Sequence, residues 1–284
     1  MARVEVRGLT KHFGSEVAVA GIDFSAPEGH FVTLLGPSGC GKTTTLRCLA
    51  GLERPDAGEI YIGDQCVAAP RQNIWVPPEK RNIGMVFQSY AVWPHLTVFD
   101  NIAYGLRVRG IGRSEIAKRT QETLDLVGLS GFADRYATQL SGGQQQRVSL
   151  ARALAYNPSV ILFDEPLSNL DAKLREHMRL ELTRLQQRLG ITAVYVTHDQ
   201  SEALVMSDTI IVMNHGRILQ QGAPEAIYAE PASRFVADFV GVTNLLPVRV
   251  AEAAGATGVA VAETAWGGAA VHSMPRAYGV AGGT

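Results

Sequence analysis

The spacing of hydrophobic and polar positions changes several times along the chain, and each change predicts a different kind of element. Arg3 to Leu9 alternates polar with apolar residues, and Val17 to Phe24 does so again, as strands with one buried face do. Ala26-Pro27-Glu28-Gly29 interrupts them with turn residues. Phe31 to Leu35 is a short continuous apolar run, suited to a strand covered on both faces. Lys42 to Leu52 has helical character that stops near Gly51 and Pro55. Short strands are expected between Glu59 and Pro78, broken by Gly63, Pro70 and Pro77-Pro78, followed by an apolar strand from Ile83 to Phe87.

From Ser89 to about Pro158 the period is helical, with Ser114 a predicted N-cap and Ser141 opening another helix. Val160 to Phe163 reads as a buried strand, Ala172 to Leu189 as an amphipathic helix, and Thr192 to Thr197 and Ile210 to Met213 as strands. Strands alternating with helices predict an α/β fold with a mainly parallel sheet covered on both faces. An antiparallel β part precedes that sheet, and a helical subdomain at about 89–158 is inserted into it. Beyond Phe239 the chain turns to Ala, Gly and Val with weak alternation, so a short C-terminal β segment is expected.

Composition then removes several functions. The 284 residues are 46% hydrophobic and carry a formal net charge of −1, which argues against a broad nucleic-acid-binding face. Cys40, Cys48 and Cys66 are odd in number and lack metal-ligand spacing, so neither a disulfide framework nor a zinc site is expected. No run approaches the ~18 apolar residues of a membrane helix, and Met1 to Gly14 has no signal-peptide pattern, so a peripheral membrane role is the expectation.

The chemistry begins at Gly36-Pro37-Ser38-Gly39-Cys40-Gly41-Lys42-Thr43, a G-x-x-x-x-G-K-[ST] loop between a predicted strand and a predicted helix. Gly36, Ser38, Gly39, Cys40, Gly41 and Thr44 surround a path on which backbone N–H groups converge on phosphate oxygens. Lys42 reaches the outer phosphates and Thr43 places a hydroxyl on Mg²⁺. A second small-residue platform opens a helix at Ser141-Gly142-Gly143-Gln144. Redundant within a monomer, it is complementary if it faces the first loop of another copy across a two-fold axis. Val160-Ile161-Leu162-Phe163-Asp164-Glu165 delivers two carboxylates at a strand end, where ligands collect in open α/β sheets. Adjacent strand residues point to opposite faces, so the two acids are expected to differ in role.

With these motifs in this order, about residues 1–235 resemble the ATPase subunit of ATP-binding cassette (ABC) transporters. The family's Walker A loop corresponds to Gly36–Thr43, its Q-loop to Gln88, its signature to Leu140–Gln144, its Walker B strand to Val160–Glu165, its D-loop to Ser168–Asp171 and its switch histidine to His198. The resemblance implies a P-loop NTPase core, with ATP and Mg²⁺ as cofactors. It assigns Thr43 to Mg²⁺, Asp164 to the Mg²⁺ shell through water, Gln88 to Mg²⁺ or to positioning the water, Glu165 to the general base, His198 to the γ-phosphate, Asp171 to the nucleotide site and Phe13 to stacking on adenine. It also implies a head-to-tail dimer, two transmembrane permease subunits docking on the aromatic stretch 89–101, an indirect solute-binding partner, and a place at the cytoplasmic face of the inner membrane. Ser89 to Val98 and Phe239 to Asn244 resemble the importer branch for sugars, polyamines, ferric iron and phosphonates. That branch implies that 236–284 is a linker and an oligonucleotide-binding-fold-like regulatory barrel, and the roughly 45 residues after Phe239 predict a truncated or shortened one.

Overall fold

The computed structural model describes residues 1–241 and the backbone of three later strands; 242–248, 253–258, 265–266 and 273–284 lie outside the description. The chain opens with two long antiparallel strands, β1 (Val4–Phe13) and β2 (Glu16–Ala26), which bury Val4, Val6 and Leu9 against Val19, Ile22 and Phe24. Then come β3 (Phe31–Leu35), the nine-residue helix α1 (Lys42–Ala50), and strands β4 (Ala57–Ile62), β5 (Gln65–Ala69) and β6 (Ile74–Trp75). Strands β2, β1, β4, β5 and β6 form one antiparallel sheet in that spatial order.

The helical insertion follows β7 (Ile83–Val86) and contains α2 (Val98–Val108), α3 (Arg113–Leu126) and α4 (Gly142–Leu154). Thr97 caps α2 by accepting from the Asp100 amide at 3.0 Å, and Ser141 caps α4 as its position predicts. Ser114 is not a cap. The helix begins one residue earlier, Gly112 holds the cap position, and Ser114 lies inside the first turn. Next come β8 (Val160–Asp164), α5 (Ala172–Leu189), β9 (Thr192–Thr197), α6 (Gln200–Met206), β10 (Thr209–Asn214), β11 (Arg217–Gly222), α7 (Pro224–Ala229) and α8 (Arg234–Val240).

The second sheet has the order β11-β10-β3-β9-β8-β7, with β11 antiparallel at one edge and the other five strands parallel, β7 forming the opposite edge. Every residue of β3, β8 and β9 is buried, as their unbroken apolar runs require. Alternation divides their side chains. Phe31, Phe163 and Tyr195 face the core built with α2 to α5, while Val32, Leu162 and Val194 face the core shared with α1 and the antiparallel sheet. The predicted β segment at the C-terminal end is present as β12 (Arg249–Glu252), β13 (Val259–Thr264) and β14 (Gly267–His272), an antiparallel three-stranded sheet. The motif residues Val242 to Asn244 fall outside the described residues.

One buried cation ties α1 to the antiparallel sheet. Arg81, 2% exposed, donates to the Cys48 and Leu49 carbonyls at the end of α1 at 2.7 and 2.8 Å, and to Val76 and Val67 at 2.7 and 3.3 Å. Its guanidinium lies 4.6 Å from the Trp75 ring centroid, and desolvation lowers its pKa to about 10. No carboxylate among the described residues pairs with it; the negative end of the α1 dipole and four carbonyls hold the charge. Arg81→Leu takes the charged donor from all four carbonyls, of which Cys48 and Val67 keep backbone amide partners, so urea denaturation is expected to show a loss of about 2–3 kcal/mol. An unchanged midpoint would show that Arg81 fills space only.

Candidate functional site

The C-terminal ends of β3, β8 and β9 lie side by side in one parallel sheet, so the residues that follow them meet at one edge. After β3 the loop closes tightly on its surroundings. A Cβ on Gly36 would come within 2.3 Å of the Met213 carbonyl oxygen, and one on Gly41 within 2.3 Å of that of Ala18. Gly41 is also the N-cap of α1 at φ +103, which only glycine adopts readily. Ser38 and Gly39 are exposed and Thr44 is half-buried, whereas Cys40 is enclosed and burial raises its thiol pKa, leaving an unreactive thiol. Lys42 is 4% exposed and donates from Nζ to the Gly36 and Pro37 carbonyls at 2.7 and 2.9 Å. Thr45, which the motif does not specify, anchors the turn through a 2.9 Å bond to Gly41.

Asp164, the last residue of β8, accepts from the Thr43 hydroxyl at 3.0 Å. Burial raises its pKa, and the Thr43 bond opposes that shift. Glu165 departs from the sequence expectation in its geometry. It is not a strand residue opposite Asp164 but sits just past the strand at φ +44, a left-handed conformation that turns its carboxylate toward β9. There its Oε2 lies 3.0 Å from Nδ1 of the half-exposed His198. The two acids therefore differ in surroundings because of a backbone turn, not strand alternation.

Gln88 is exposed and lies two residues beyond β7, which ends at Val86 and not at Phe87. Its carbonyl accepts from Asn169 Nδ2 at 2.8 Å, joining this loop to the segment after Glu165. Asp171 caps α5, its Oδ1 accepting from the Leu174 amide at 3.0 Å. Ser141 and Gly142 are exposed at the start of α4. Ser141 and Gln144 form a reciprocal capping box, which occupies the Gln144 side chain locally. A Cβ on Gly142 would have Leu170 and Tyr90 within 4 Å, and one on Gly143 would be nearest Leu174; neither glycine has an atom of loop 36–43 among its nearest neighbours. Phe13, at the end of β1, is 49% exposed with the Lys11 ammonium 5.1 Å from its ring centroid.

Several supporting residues carry no motif. Arg175 donates to the Leu167 and Leu170 carbonyls at 3.3 and 3.1 Å and lies 3.6 Å from Asp199, beside His198. Behind His198, buried Glu202 accepts from the Tyr195 and Thr197 hydroxyls at 2.8 and 2.6 Å, and burial raises its pKa despite them. A charged residue on an otherwise buried helix face was the only available signal for either. The aromatic stretch 89–101 borders a groove of about 520 Å³ whose walls include Leu52, Phe87, Trp93, Arg109, Arg152 and Tyr156.

A phosphate loop feeding a helix, beside a carboxylate–hydroxyl pair and a carboxylate–imidazole pair at the end of a parallel sheet, defines a P-loop nucleotide site. Residues 19–168 match the ABC transporter family model. The Fe(3+) ions import ATP-binding protein FbpC of Escherichia coli O157:H7 is 53% identical over 249 residues, which is 88% of this chain and 70% of that protein. The trehalose/maltose import ATP-binding protein MalK of Thermococcus litoralis is 54% identical over 241 residues, 85% of this chain and 65% of that one. A solved dimeric ATP-binding cassette in a post-hydrolysis state, bound to ADP and Pi, superposes with a TM-score of 0.66 at 34% identity, covering 78% of this chain and 98% of the other. The chain belongs to the ABC transporter family, as one of its ATP-binding, ATP-hydrolysing subunits.

A raised carboxylate pKa means that the folded state bears the cost of holding Asp164 ionised. Asp164→Asn is therefore expected to raise the melting temperature of the nucleotide-free chain at neutral pH, with the gain disappearing as pH falls below about 3.8, where the unfolded aspartate is protonated too. A lower melting temperature at neutral pH would show that the Thr43 bond outweighs the burial.

Proposed function

We propose that this chain powers solute import, as a homodimer that closes head to tail around two ATP molecules and reopens on hydrolysis. The observation that carries this reading is the exposed Ser141-Gly142 platform, a phosphate-binding surface with no counterpart group on its own phosphate loop. A second copy turned by two-fold symmetry supplies the loop that the platform lacks. In each closed site Gly36 to Thr44 cradles the phosphates and Lys42 exchanges its loop carbonyls for phosphate oxygens. Phe13 stacks on adenine. Ser141, Gly142, Gly143 and Gln144 of the other copy complete the cradle, with Asp171 at the joint.

Thr43 and Asp164, with Gln88 as a third oxygen donor, suit Mg²⁺, since their hydroxyl and carboxylate already converge at 3.0 Å. When bound, Mg²⁺ neutralises charge on the outer phosphates. Glu165 accepts a proton from the attacking water, and His198 holds Glu165 in place and faces the γ-phosphate. The Gln88 amide serves either as that third Mg²⁺ donor or in positioning the water.

Residues 1–235 form the ATPase domain in this reading, with 89–158 its helical subdomain and 236–284 a linker and shortened regulatory barrel. The groove beside 89–101 receives a permease subunit, which places the chain peripherally at the cytoplasmic face of the inner membrane. A solute-binding protein acts only through the permease. Near-equal identity to iron and trehalose/maltose import ATPases supports solute selection outside this chain.

Glu165→Gln is expected to lower kcat at least about a hundredfold while ATP still binds and the dimer persists in size-exclusion chromatography. Turnover near the wild-type rate would remove Glu165 as the base. Phe13→Ala is expected to weaken ATP affinity roughly three- to tenfold, the worth of one stacking contact, with little change in kcat; unaltered nucleotide affinity would place the adenine elsewhere.

A further inference from the structure

Between Gln88 and the groove residue Trp93, the backbone does something that no motif explains. Tyr90 and Ala91 are consecutive non-glycine residues in the left-handed region, at φ +59 and +48. An L-residue there crowds its own Cβ against the carbonyl, so a pair in sequence persists only if something outside holds it. Within the bend the Tyr90 amide donates to the Phe87 carbonyl at 3.1 Å and the Ala91 amide to that of Ser89 at 2.6 Å, and from outside the segment Arg152 of α4 clamps it. Its Nη1 donates to the Ala91 carbonyl at 2.5 Å and its Nη2 to the Tyr90 carbonyl at 3.3 Å, while its guanidinium lies 4.8 Å from the Trp93 ring centroid. Arg152 sits at the far end of the helix whose first turn is the Ser141 platform. The clamped segment also leans on that first turn, because the Tyr90 hydroxyl lies within 3.7 Å of where a Gly142 side chain would begin.

We propose that Arg152 is a positioning residue for ATP hydrolysis: by holding Tyr90 and Ala91 in their left-handed bend, it sets the place of Gln88 relative to the signature platform. Two carbonyls are presented side by side, and only a planar, forked cation serves both while stacking on Trp93. The segment is thereby wired to α4 at both ends, and a change at Trp93 shifts the bend and the platform together. The inference rests on the reading of Gln88 as part of the hydrolytic site.

The test is a double-mutant cycle on the full chain, following ATP turnover and fluorescent-nucleotide binding. Without the clamp the bend relaxes, so Arg152→Gln is expected to lower kcat about tenfold, with the KM for ATP unchanged within about twofold. Arg152→Lys retains the charge and the fold but serves one carbonyl, and loses about threefold by the same reasoning. Glycine takes the left-handed region without strain, so adding Ala91→Gly to either variant restores most of the lost kcat. A merely structural Arg152 would not be rescued in this way. Double variants no faster than the single ones, or a raised KM with kcat intact, overturn the proposal. Gln88→Ala is measured in parallel: if it leaves kcat unaltered, the reading of Gln88 fails independently of the clamp.

Discussion

Close approach of bare backbone at the phosphate loop is the constraint on which the rest of this structure depends. Three segments meet there without intervening side chains. The loop at Gly36–Gly41 packs against the carbonyls of Met213 and Ala18, the Gly216 amide in the turn after β10 donates to the Cys40 carbonyl at 3.0 Å, and the Ala20 amide of β2 donates to the Gly216 carbonyl at 2.9 Å. The antiparallel and parallel sheets are thus welded together at the loop. The shape of the loop is consequently set by two sheets and is not a property of its own sequence alone. Arg81 repeats the principle at the other end of α1, where a cation joins the helix terminus to β5 and the segment after β6. Between these two fixings α1 has little freedom to tilt, and Thr43 stays in reach of Asp164.

Around that rigid frame, neighbouring acids are given unlike surroundings. Asp164 remains in the strand and is buried beside a hydroxyl, while one left-handed residue later Glu165 faces an imidazole. The strain of that turn, about 1–2 kcal/mol for a non-glycine residue, is balanced by the backbone bond from the Glu165 amide to Val196 and by the Ser168 bonds to its carbonyl. Behind the imidazole, Glu202 accepts from the Tyr195 and Thr197 hydroxyls of β9, so His198 leaves the sheet from an anchored strand end. Two adjacent carboxylates thus receive unlike partners, a hydroxyl for Asp164 and an imidazole for Glu165.

How far the sequence could be read follows from the range of the forces involved. The parallel strands were legible because burial on both faces leaves an unbroken apolar run, and the phosphate loop because its glycines answer local steric demands. Ser141 was legible as the start of a helix, but the capping box it forms with Gln144 was not anticipated. Ser114 failed as a cap because Gly112 already holds that position and the helix starts at Arg113, which leaves the serine two positions inside, within the first turn. Strand β11 and helices α7 and α8 escaped notice because Arg217–Gly222 is half-exposed and the helices are short, so neither displays a strong period. Arg81, Arg152, Arg175 and Glu202 were invisible for another reason. Arg81 and Arg152 owe their places to carbonyls of distant segments, whereas Arg175 and Glu202 bond residues five to eight positions back, and only a charge on an otherwise buried helix face hints at those two.

Lys42 has a consequence for the thermodynamics of nucleotide capture. Its ammonium already rests on two carbonyls of its own loop, and that loop is held from outside by two sheets. Phosphate oxygens arriving there exchange one set of acceptors for another and order nothing that was loose. Capture of this kind carries a small conformational-entropy term. In the function proposed above, the free energy of binding is then left almost whole for closing the dimer.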